Sequence, residues 1–299
     1  MHGGHVRAIV FGATGNVGRH LFVHLRTKGW TVIGTYAQCQ TEGLVRFRIE
    51  EEDFTQFPVA GSRWDYGIIC SAISGIDLCR RDVVRSRAVN VVGTLRLVQW
   101  LINAGICPVF LSSDYVFGGD KGGYREADTV DPVTLYGQQK VEVETKLERY
   151  HAKTLIVRLS KVVTSDPTDS TLFSEWYRTI RAGKPVVCAS DQFFCPTFVE
   201  DVVNGLRVLM EMRAEGLYHV CQPKRYDRVT LLEEFCRNTG MRCPAVELRQ
   251  SAAFGFLDQR GRDTSMSPDK FLKATGFQFT SMGACSRYFM EKVKLCPCA

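Results

Sequence analysis

A glycine-rich turn between a short apolar run and a helical pattern constrains the fold of this chain more than any other stretch. The apolar run is Val6–Phe11, the turn is Gly12–Gly18 (GATGNVG), and the helical pattern continues from Arg19 to Lys28. Glycines at such a turn let the backbone approach a pyrophosphate, and the helix N-terminus receives its charge. The order strand, turn, helix therefore predicts a dinucleotide-binding unit. The predicted cofactor contacts in the turn are Gly12, Thr14, Gly15, Asn16, Val17 and Gly18.

Further apolar runs extend this unit into a Rossmann-type, doubly wound α/β fold. Gly29–Tyr36, Leu44–Ile49 and Trp64–Ile73 are the second to fourth predicted strands, and Pro108–Ser113 is the fifth. Between the last two, Ala88–Ala104 has the period of a long amphipathic helix. The fourth strand ends in small residues, as expected for a parallel strand that passes under a cofactor. Ser71 and Ala72 are therefore predicted cofactor contacts.

The end of the second predicted strand indicates which dinucleotide is bound. An acidic residue there would hold the ribose 2′-hydroxyl of NAD, but residues 35–38 read Thr-Tyr-Ala-Gln. No carboxylate would repel a 2′-phosphate, and Arg19 lies just past the last glycine. Arg19 is either a phosphate contact or a solvated helix residue. We expect NADP(H) to be preferred, with NAD(H) as the alternative.

Two further polar residues are assigned to the cofactor side. Asp53 ends the acidic segment Glu50–Asp53 and is either an adenine contact or part of a solvated loop. Asn90, near the start of the long helix, is either a helix-entry residue or a support that fixes the active-site helix through backbone hydrogen bonds and water. We carry both residues as candidate cofactor-site positions.

The residues proposed for catalysis lie between Pro108 and Glu144. Tyr136 and Lys140 are spaced i, i+4, so on a helix the phenol and the ammonium share one face. A neighbouring cation favours the phenolate, which would lower the tyrosine pKa toward the working pH. Ser113 ends the preceding strand, and Asp131-Pro132 is the predicted helix start. The same spacing recurs at Tyr288 and Lys292 without a strand-end serine, so the spacing alone is weak evidence.

Length and composition limit the partners. A chain of 299 residues with 45% hydrophobic and 23% charged content is that of an ordinary globular protein. The formal charge of +6 is not gathered in a run of Lys and Arg, so no nucleic-acid partner is predicted, while an anionic small substrate remains open. With neither a signal-peptide pattern nor eighteen consecutive apolar residues, we expect a cytoplasmic protein without a membrane partner, as a monomer or homodimer.

The cysteines do not indicate a metal. Twelve are present, scattered singly and without a C-x-x-C motif. Several, such as Cys70, Cys188 and Cys221, lie in apolar runs and are expected to be buried, reduced thiols. Cys296-Pro-Cys298 is more typical of a frayed chain end than of a metal or redox site. We therefore expect no metal.

Three motifs carry a resemblance to a known family. SSDYVF (Ser112–Phe117), YREAD (Tyr124–Asp128) and DPVTLYGQQKVEVE (Asp131–Glu144) resemble the dTDP-4-dehydrorhamnose reductases, which belong to the extended short-chain dehydrogenase/reductase superfamily. The resemblance covers nearly the whole chain, loosely after about Lys224. It implies NADPH-dependent reduction of a keto group on a nucleotide-activated sugar. It also implies that Ser113, Tyr136 and Lys140 are the catalytic residues.

The chain departs from this family at two positions. Ser113 stands where a threonine is common, which changes the chemistry little. Lys161, after the predicted strand Thr154–Ser160, stands where the reductases carry a tryptophan that lines the sugar pocket. A cation there changes what the pocket can hold. The expected substrate contacts are Ser113, Asp114, Tyr115 and Lys161.

The resemblance and the pattern together divide the chain into two lobes. Residues 1–163, with 195–220 returning to them, are assigned to the NAD(P)-binding Rossmann domain. Residues 164–194 and 221–299 are assigned to a smaller C-terminal substrate-binding lobe, in which Phe193-Phe194 is either core or apolar substrate surface. The substrate is expected in the cleft between the lobes.

Two alternatives to the reductase remain. A nucleotide-sugar epimerase or dehydratase of the same fold would retain its NAD and return the hydride to the substrate. A non-catalytic, NADP-binding regulatory subunit, resembling the beta subunit of methionine adenosyltransferase, would instead serve a partner enzyme. The DYVF motif favours the reductase over the first alternative, and the intact Ser113, Tyr136 and Lys140 favour it over the second.

Overall fold

The computed structural model describes residues 5–51, 53–54, 57, 63–150 and 153–295. Within them, seven parallel strands form one sheet. In chain order its strands are β1 (Arg7–Phe11), β2 (Thr31–Tyr36), β3 (Val45–Arg46), β4 (Tyr66–Ile69), β5 (Cys107–Ser113), β6 (Leu155–Leu159) and β11 (Gly216–Val220). Their spatial order is β3-β2-β1-β4-β5-β6-β11, so the Rossmann-type fold predicted from the sequence is confirmed.

Helices cover both faces of this sheet, and further helices lie outside it. In chain order, the helices of the described residues are α1 (Asn16–Thr27), α2 (Ile76–Arg81), α3 (Val83–Arg87), α4 (Thr94–Asn103), α5 (Leu135–Glu148), α6 (Leu172–Arg181), α7 (Val199–Glu211), α8 (Arg228–Thr239), α9 (Asp269–Thr275) and α10 (Met282–Leu295). In β1, Ala8 and Val10 pack in the cluster that contains Leu21 of α1. Ile9 and Phe11, which alternate with them, pack on the opposite side with α4 and α5. The period of two along a strand thus supplies both cores.

The strand order creates a crevice at one end of the sheet. The chain winds outward from β1 to β3 and then returns to place β4 on the other side of β1. At such a switch point, the loops that follow the two central strands diverge and leave room for a ligand. Gly12 after β1 and Ser71 after β4 lie together there, since a Cβ on Gly12 would be 2.8 Å from the Ser71 amide nitrogen.

The lengths of several elements differ from the sequence prediction. The third strand is only two residues long, where Leu44–Ile49 was expected. The single helix expected over Ala88–Ala104 begins as a π-helix, Ala88–Gly93, and becomes α-helical only at Thr94. Gly93 allows this turn to pack closely against the segment after β3, because a Cβ there would lie 2.5 Å from the Ile49 carbonyl oxygen.

Short strands and helices build a second hydrophobic cluster outside the main sheet. The strands are β7 (Val162–Val163), β8 (Val186–Ala189), β9 (Phe193–Phe194), β10 (Thr197–Phe198), β12 (Tyr226–Asp227) and β13 (Val246–Arg249). Phe173 of α6, Phe235 of α8 and Phe289 of α10 form the centre of this cluster. Phe271 of α9, by contrast, packs in the cluster of the main sheet. The two-lobe division stays a proposal, and α9 would fall on the side of the main sheet.

Two expectations about the surface and the thiols can be compared with the structure. Cys188 and Cys221 are buried, and Cys70 is half-buried. Cys296 and Cys298 lie outside the described residues. None of the helices in the described part of the chain combines the length and apolar character needed to cross a bilayer.

Candidate active site

The glycine turn has the geometry that a dinucleotide needs. Gly12 has a φ of +85°, and a Cβ on Gly18 would lie 2.1 Å from the Gly12 carbonyl oxygen. Both glycines are therefore required for the close packing of the turn under α1. Gly15 precedes the helix, and no side chain caps it. Backbone N–H groups at the start of α1 thus remain available for a pyrophosphate, and Thr14, Gly15 and Asn16 are exposed.

The predicted 2′-phosphate contact, Arg19, is engaged elsewhere. Its guanidinium pairs with Asp169 and lies 3.7 Å from Asp166. Another arginine lies at the end of β2: Arg46 of β3 is in register with Tyr36 and is exposed. Sequence reasoning missed Arg46, although its position at the adjacent strand was a usable signal once β3 had been aligned with β2. Asp53 is exposed, beyond β3.

Asn90 connects two parts of the site rather than facing open space. Its side chain accepts a hydrogen bond from the Ile73 amide at 2.8 Å and donates to the Ile73 carbonyl at 3.0 Å. It also donates to Oε1 of Gln139 at 2.7 Å, and Gln139 in turn donates to Ser86. Asn90 is 1% exposed. The expected support of the active-site helix is therefore a direct side-chain link between the segment after β4 and α5.

Ser113 lies at the carboxyl end of β5, where its hydroxyl is held by its neighbours. The Ser113 Oγ donates to Oδ1 of Asp114 at 3.0 Å and accepts from the Tyr115 amide at 3.2 Å. Asp114 is buried, and its other oxygen accepts from Ser160 at 2.8 Å and Thr264 at 3.2 Å. Burial raises the pKa of Asp114, although these three hydroxyls oppose the shift. Asp114 thus fixes the position of Ser113 from behind.

Tyr136 and Lys140 lie on the first turns of α5, as their spacing predicted. The predicted helix start at Asp131-Pro132 is wrong, because the helix begins at Leu135. Thr134 caps it by accepting from the Gly137 amide, and the Leu135 amide donates to Oδ2 of Asp258. The Thr134 cap was readable from the sequence, since threonine is favoured at the residue before a helix. The contact with Asp258 could not be read from the sequence in this way, because its carboxylate comes from a distant loop.

Tyr136 and Lys140 are both buried beside β5. The Lys140 Nζ lies 5.5 Å from the centroid of the Tyr136 ring and 4.6 Å from that of Phe110, and donates to the Leu111 carbonyl at 2.8 Å. The Tyr136 hydroxyl is close enough to Ser113 for a hydrogen bond to influence its pKa. The structure thus brings the three proposed catalytic residues together.

The pKa of Tyr136 differs from the sequence expectation. Burial raises it above the ordinary tyrosine value, and the charge of Asp114 raises it further. Burial likewise lowers the pKa of Lys140 to about 8, against the opposing charge of Glu144. Removal from water outweighs the local lysine–tyrosine attraction that the i, i+4 spacing suggested. Tyr136 is consequently a neutral phenol at pH 7.

Tyr115 lies beside Tyr136, and cations from distant segments act on this side of the site. Tyr115 lies with its ring centroid 6.3 Å from that of Tyr136. Burial raises the pKa of Tyr115 to about 12, and the charges of Asp114, Arg260 and Arg228 also act on it. Lys161 follows β6 and is reached by water, although protein surrounds it on most sides. Arg228 and Arg260, more than a hundred residues beyond Tyr115 in the chain, were not found from the sequence.

Several other sequence candidates lie away from this group. Tyr288, whose spacing to Lys292 repeats the catalytic pattern, is 46% exposed on α10. Phe194 is buried in the second cluster, while the Phe193 ring stacks against the Arg225 guanidinium at 3.7 Å. Ser71 and Ala72 are half-buried beside the glycine turn. A cavity of about 900 Å³ opens near Trp64 and Cys107, at the amino end of the sheet and far from Tyr136.

Comparison with known proteins shows the family to which the chain belongs. The model of the RmlD substrate-binding domain family matches residues 6–293. The chain belongs to this family. It is 26% identical to the probable low-salt glycan biosynthesis reductase of Haloferax volcanii, over 80% of this chain and 82% of the relative. It is 30% identical to the dTDP-4-dehydrorhamnose reductase of Mycolicibacterium smegmatis, over 71% of this chain and 63% of the relative.

A solved structure shows the same fold. The dTDP-4-dehydrorhamnose reductase of Bacillus anthracis, crystallised in complex with NADP, superposes with a TM-score of 0.85. That alignment covers 96% of this chain and all of the bacterial one, at 23% identity. The RmlD-family chain described here is an NAD(P)-dependent oxidoreductase of the extended short-chain dehydrogenase/reductase type.

Proposed function

We propose that this RmlD-family protein reduces a keto group on a nucleotide-activated sugar, with NADPH as the hydride donor. The observation that carries the proposal is the buried group formed by Ser113, Tyr136 and Lys140 at the carboxyl end of β5, next to the glycine turn. The similarity to dTDP-4-dehydrorhamnose reductases and to a glycan biosynthesis reductase supports a sugar nucleotide as substrate.

The dinucleotide would be held by the chain at three places. The N-terminus of α1 would receive the pyrophosphate over Gly12–Gly18, Lys140 would contact the nicotinamide ribose, and Ser71 and Ala72 would lie beneath the cofactor. When bound, the reduced nicotinamide supplies the hydride. The residues present fit such a group, because the turn leaves no room for a Cβ at Gly12 or Gly18 and α1 carries no side-chain cap.

The protein's own groups would handle the proton and the oxygen. Tyr136 is neutral at pH 7 and therefore carries the proton that a reduction must deliver to the carbonyl oxygen. Lys140 is mainly charged at that pH and would stabilise the phenolate that remains. Ser113, whose hydroxyl donates to Asp114 in this structure, would turn that proton toward the substrate and donate it to the developing alkoxide. Asp114, which orients the Ser113 hydroxyl, and Asn90, which ties α5 in place, support this arrangement.

A preference for NADPH follows from the end of β2. No described acidic residue follows β2 where a 2′-hydroxyl would be held, and Arg46 is in register with Tyr36. We assign the 2′-phosphate contact to Arg46 first, because it is in register with Tyr36 at the end of β2, and to Arg19 second. Arg46→Ala should weaken NADPH binding about tenfold while changing NADH binding less than twofold, as measured by fluorescence titration. Equal effects on both cofactors, or tighter NADH binding by the wild type, would contradict the assignment.

Reduction itself is tested with NADPH and a panel of 4-keto nucleotide sugars on uridine and thymidine diphosphate, generated in situ by a dehydratase. We expect NADPH oxidation that depends on one of the sugars, with a stoichiometric reduced product. A purified protein that retains NAD and interconverts epimers without consuming NADPH would instead be an epimerase. Cofactor binding without turnover on any sugar, together with a co-purifying enzyme, would indicate the regulatory alternative.

A further inference from the structure

Two cations on the substrate side of the site lack a carboxylate partner. Lys161 follows β6, and Arg228 begins α8. Among the described residues, no Asp or Glu lies within ion-pair distance of either side chain. The Arg228 guanidinium is held by neutral groups, with Nε donating to Gln192 Oε1 at 3.4 Å and its plane near the Phe194 ring.

Other cations in the chain segment that contains Arg228 are neutralised. Arg225 pairs with Asp263 at 2.7 Å, Arg260 with Asp77 at 2.7 Å, and Lys224 with Glu234 at 3.4 Å. The missing partners at Lys161 and Arg228 are thus a local property and not a general excess of positive charge. A negatively charged ligand would complement these two positions.

The two cations influence one another and lie beside the catalytic residues. Desolvation and the charge of Arg228 lower the pKa of Lys161, while the charges of Glu175 and Asp114 oppose the shift without forming an ion pair with it. Ser160, directly before Lys161, donates to Asp114, directly after Ser113, at 2.8 Å. Asp114 cannot serve as the counter-ion, because it is buried and its oxygens are taken by three hydroxyls. Lys161 therefore directly follows the serine that contacts Asp114 behind Ser113.

We propose that the sugar of the substrate carries an acidic group, a carboxylate, that binds Lys161 with help from Arg228. This inference rests on the proposed function, since it specifies the sugar class for the same site. A carboxylate on the carbon adjacent to the reacting one would lie next to the catalytic hydroxyls and reach the ammonium. A diphosphate lies on the far side of the sugar ring from position 4, nearer to the nucleotide.

Binding of matched ligand pairs tests this without turnover. The full-length protein, saturated with NADP⁺, is titrated calorimetrically with UDP-glucuronate and UDP-glucose, and with the corresponding pair on thymidine diphosphate. Each pair differs only in a carboxylate at carbon 6. We expect the wild type to bind the acidic member at least about tenfold more tightly, which corresponds to about 1.4 kcal/mol.

Variants assign this preference to Lys161. Lys161→Met should reduce the preference to about twofold while leaving the affinity for the neutral member unchanged, and Lys161→Arg should retain most of it. Lys224→Met is the matched control, because it removes the same charge at a position neutralised by Glu234. It should leave the preference intact.

Two results would overturn the proposal. Equal binding of both members by the wild type would show that the site has no use for a sugar carboxylate. Equal weakening of both members by Lys161→Met would show that Lys161 holds the diphosphate. Failure of the proposed reduction would appear separately, as absent NADPH oxidation in a protein that still distinguishes the ligand pairs. A protein that binds no member of either pair would contradict both proposals.

Discussion

Two sides of the active site differ in whether their polar and charged groups have partners within the protein. We call the side formed by β5 and α5 the buried wall, and the side that carries Lys161 and Arg228 the open wall. On the β5 side, Tyr136, Lys140 and Ser113 are buried, and the ammonium and the serine hydroxyl have protein partners. On the side of the second cluster, Lys161 and Arg228 lack ion-pair partners among the described residues. The polar groups of the buried wall are therefore held in position before substrate binds. The cations of the open wall would gain a counter-charge only when an anionic ligand binds. We therefore assign them to substrate selection and not to proton transfer.

The largest expected effect concerns the buried wall. Tyr136→Phe removes the proton donor and should lower kcat by about 10²- to 10⁴-fold, while the NADPH dissociation constant stays within twofold of wild type. Tyr288→Phe is the matched control, since Tyr288 has the same spacing to a lysine but is exposed on α10. It should leave kcat unchanged. Steady-state kinetics with near-normal turnover in Tyr136→Phe would remove this residue from the mechanism.

The pH dependence of the free energy of unfolding below pH 6.5 tests a buried network of side chains behind α5. Behind α5, Glu144 forms a buried ion pair with Arg158, and Arg158 also donates to Nε2 of His219 at 3.3 Å. The His219 Nδ1 must then donate to the Ser267 carbonyl at 3.2 Å. This arrangement requires a neutral imidazole. Burial, assisted by the charge of Arg158, lowers the pKa of His219 to about 3.

The unfolded chain takes up a proton at this histidine below its ordinary pKa of 6.5, whereas the folded chain stays neutral down to about 3. The free energy of unfolding should therefore fall with pH in this window, by up to about 1.4 kcal/mol per pH unit from this group. His219→Gln should show a shallower slope between pH 6 and 4.5 in urea titrations. An identical slope in wild type and variant would mean that His219 titrates normally in the folded state.

The smallest expected effect concerns the open wall. Because Lys161 is reached by water, its attraction for an anionic substrate should be screened by salt. Raising sodium chloride from about 50 to about 300 mM should increase KM for the sugar nucleotide several-fold and change kcat by less than twofold. Lys161→Met should show a weaker dependence of KM on salt than Lys224→Met. A salt effect on kcat alone would contradict the assignment of substrate binding to the open wall and of catalysis to the buried wall.

The buried wall was largely readable from the sequence, and the open wall was not. The strand, the glycine turn and the Tyr136–Lys140 spacing are local, so their periods and positions specify the geometry directly. Arg228 and Arg260 enter the site from segments more than a hundred residues away, and nothing near them in the sequence points to it. Lys161 was noticed only as a departure from the resembled family, and its lack of an ion-pair partner required the tertiary structure.

The pKa of Tyr136 shows the same limit within the buried wall. Local spacing to Lys140 suggested a lowered value, but the enclosure of the phenol by distant segments reverses the direction. The burial of the phenol depends on contacts from the whole fold, so a five-residue motif does not predict it. The same applies to Asn90, whose partners Ile73 and Gln139 are 17 and 49 residues away.

The contacts of Asp114 and Leu135 with the C-terminal third also have a consequence for biosynthesis. Thr264 donates to Asp114 across 150 residues, and Asp258 accepts from the Leu135 amide at the start of α5 across 123 residues. A nascent chain that has emerged only as far as the end of β11 already contains Ser113, Tyr136 and Lys140. It nevertheless lacks the groups that secure them. Catalytic competence would thus be acquired late in synthesis, after the segment around residues 258–264 has left the ribosome and docked.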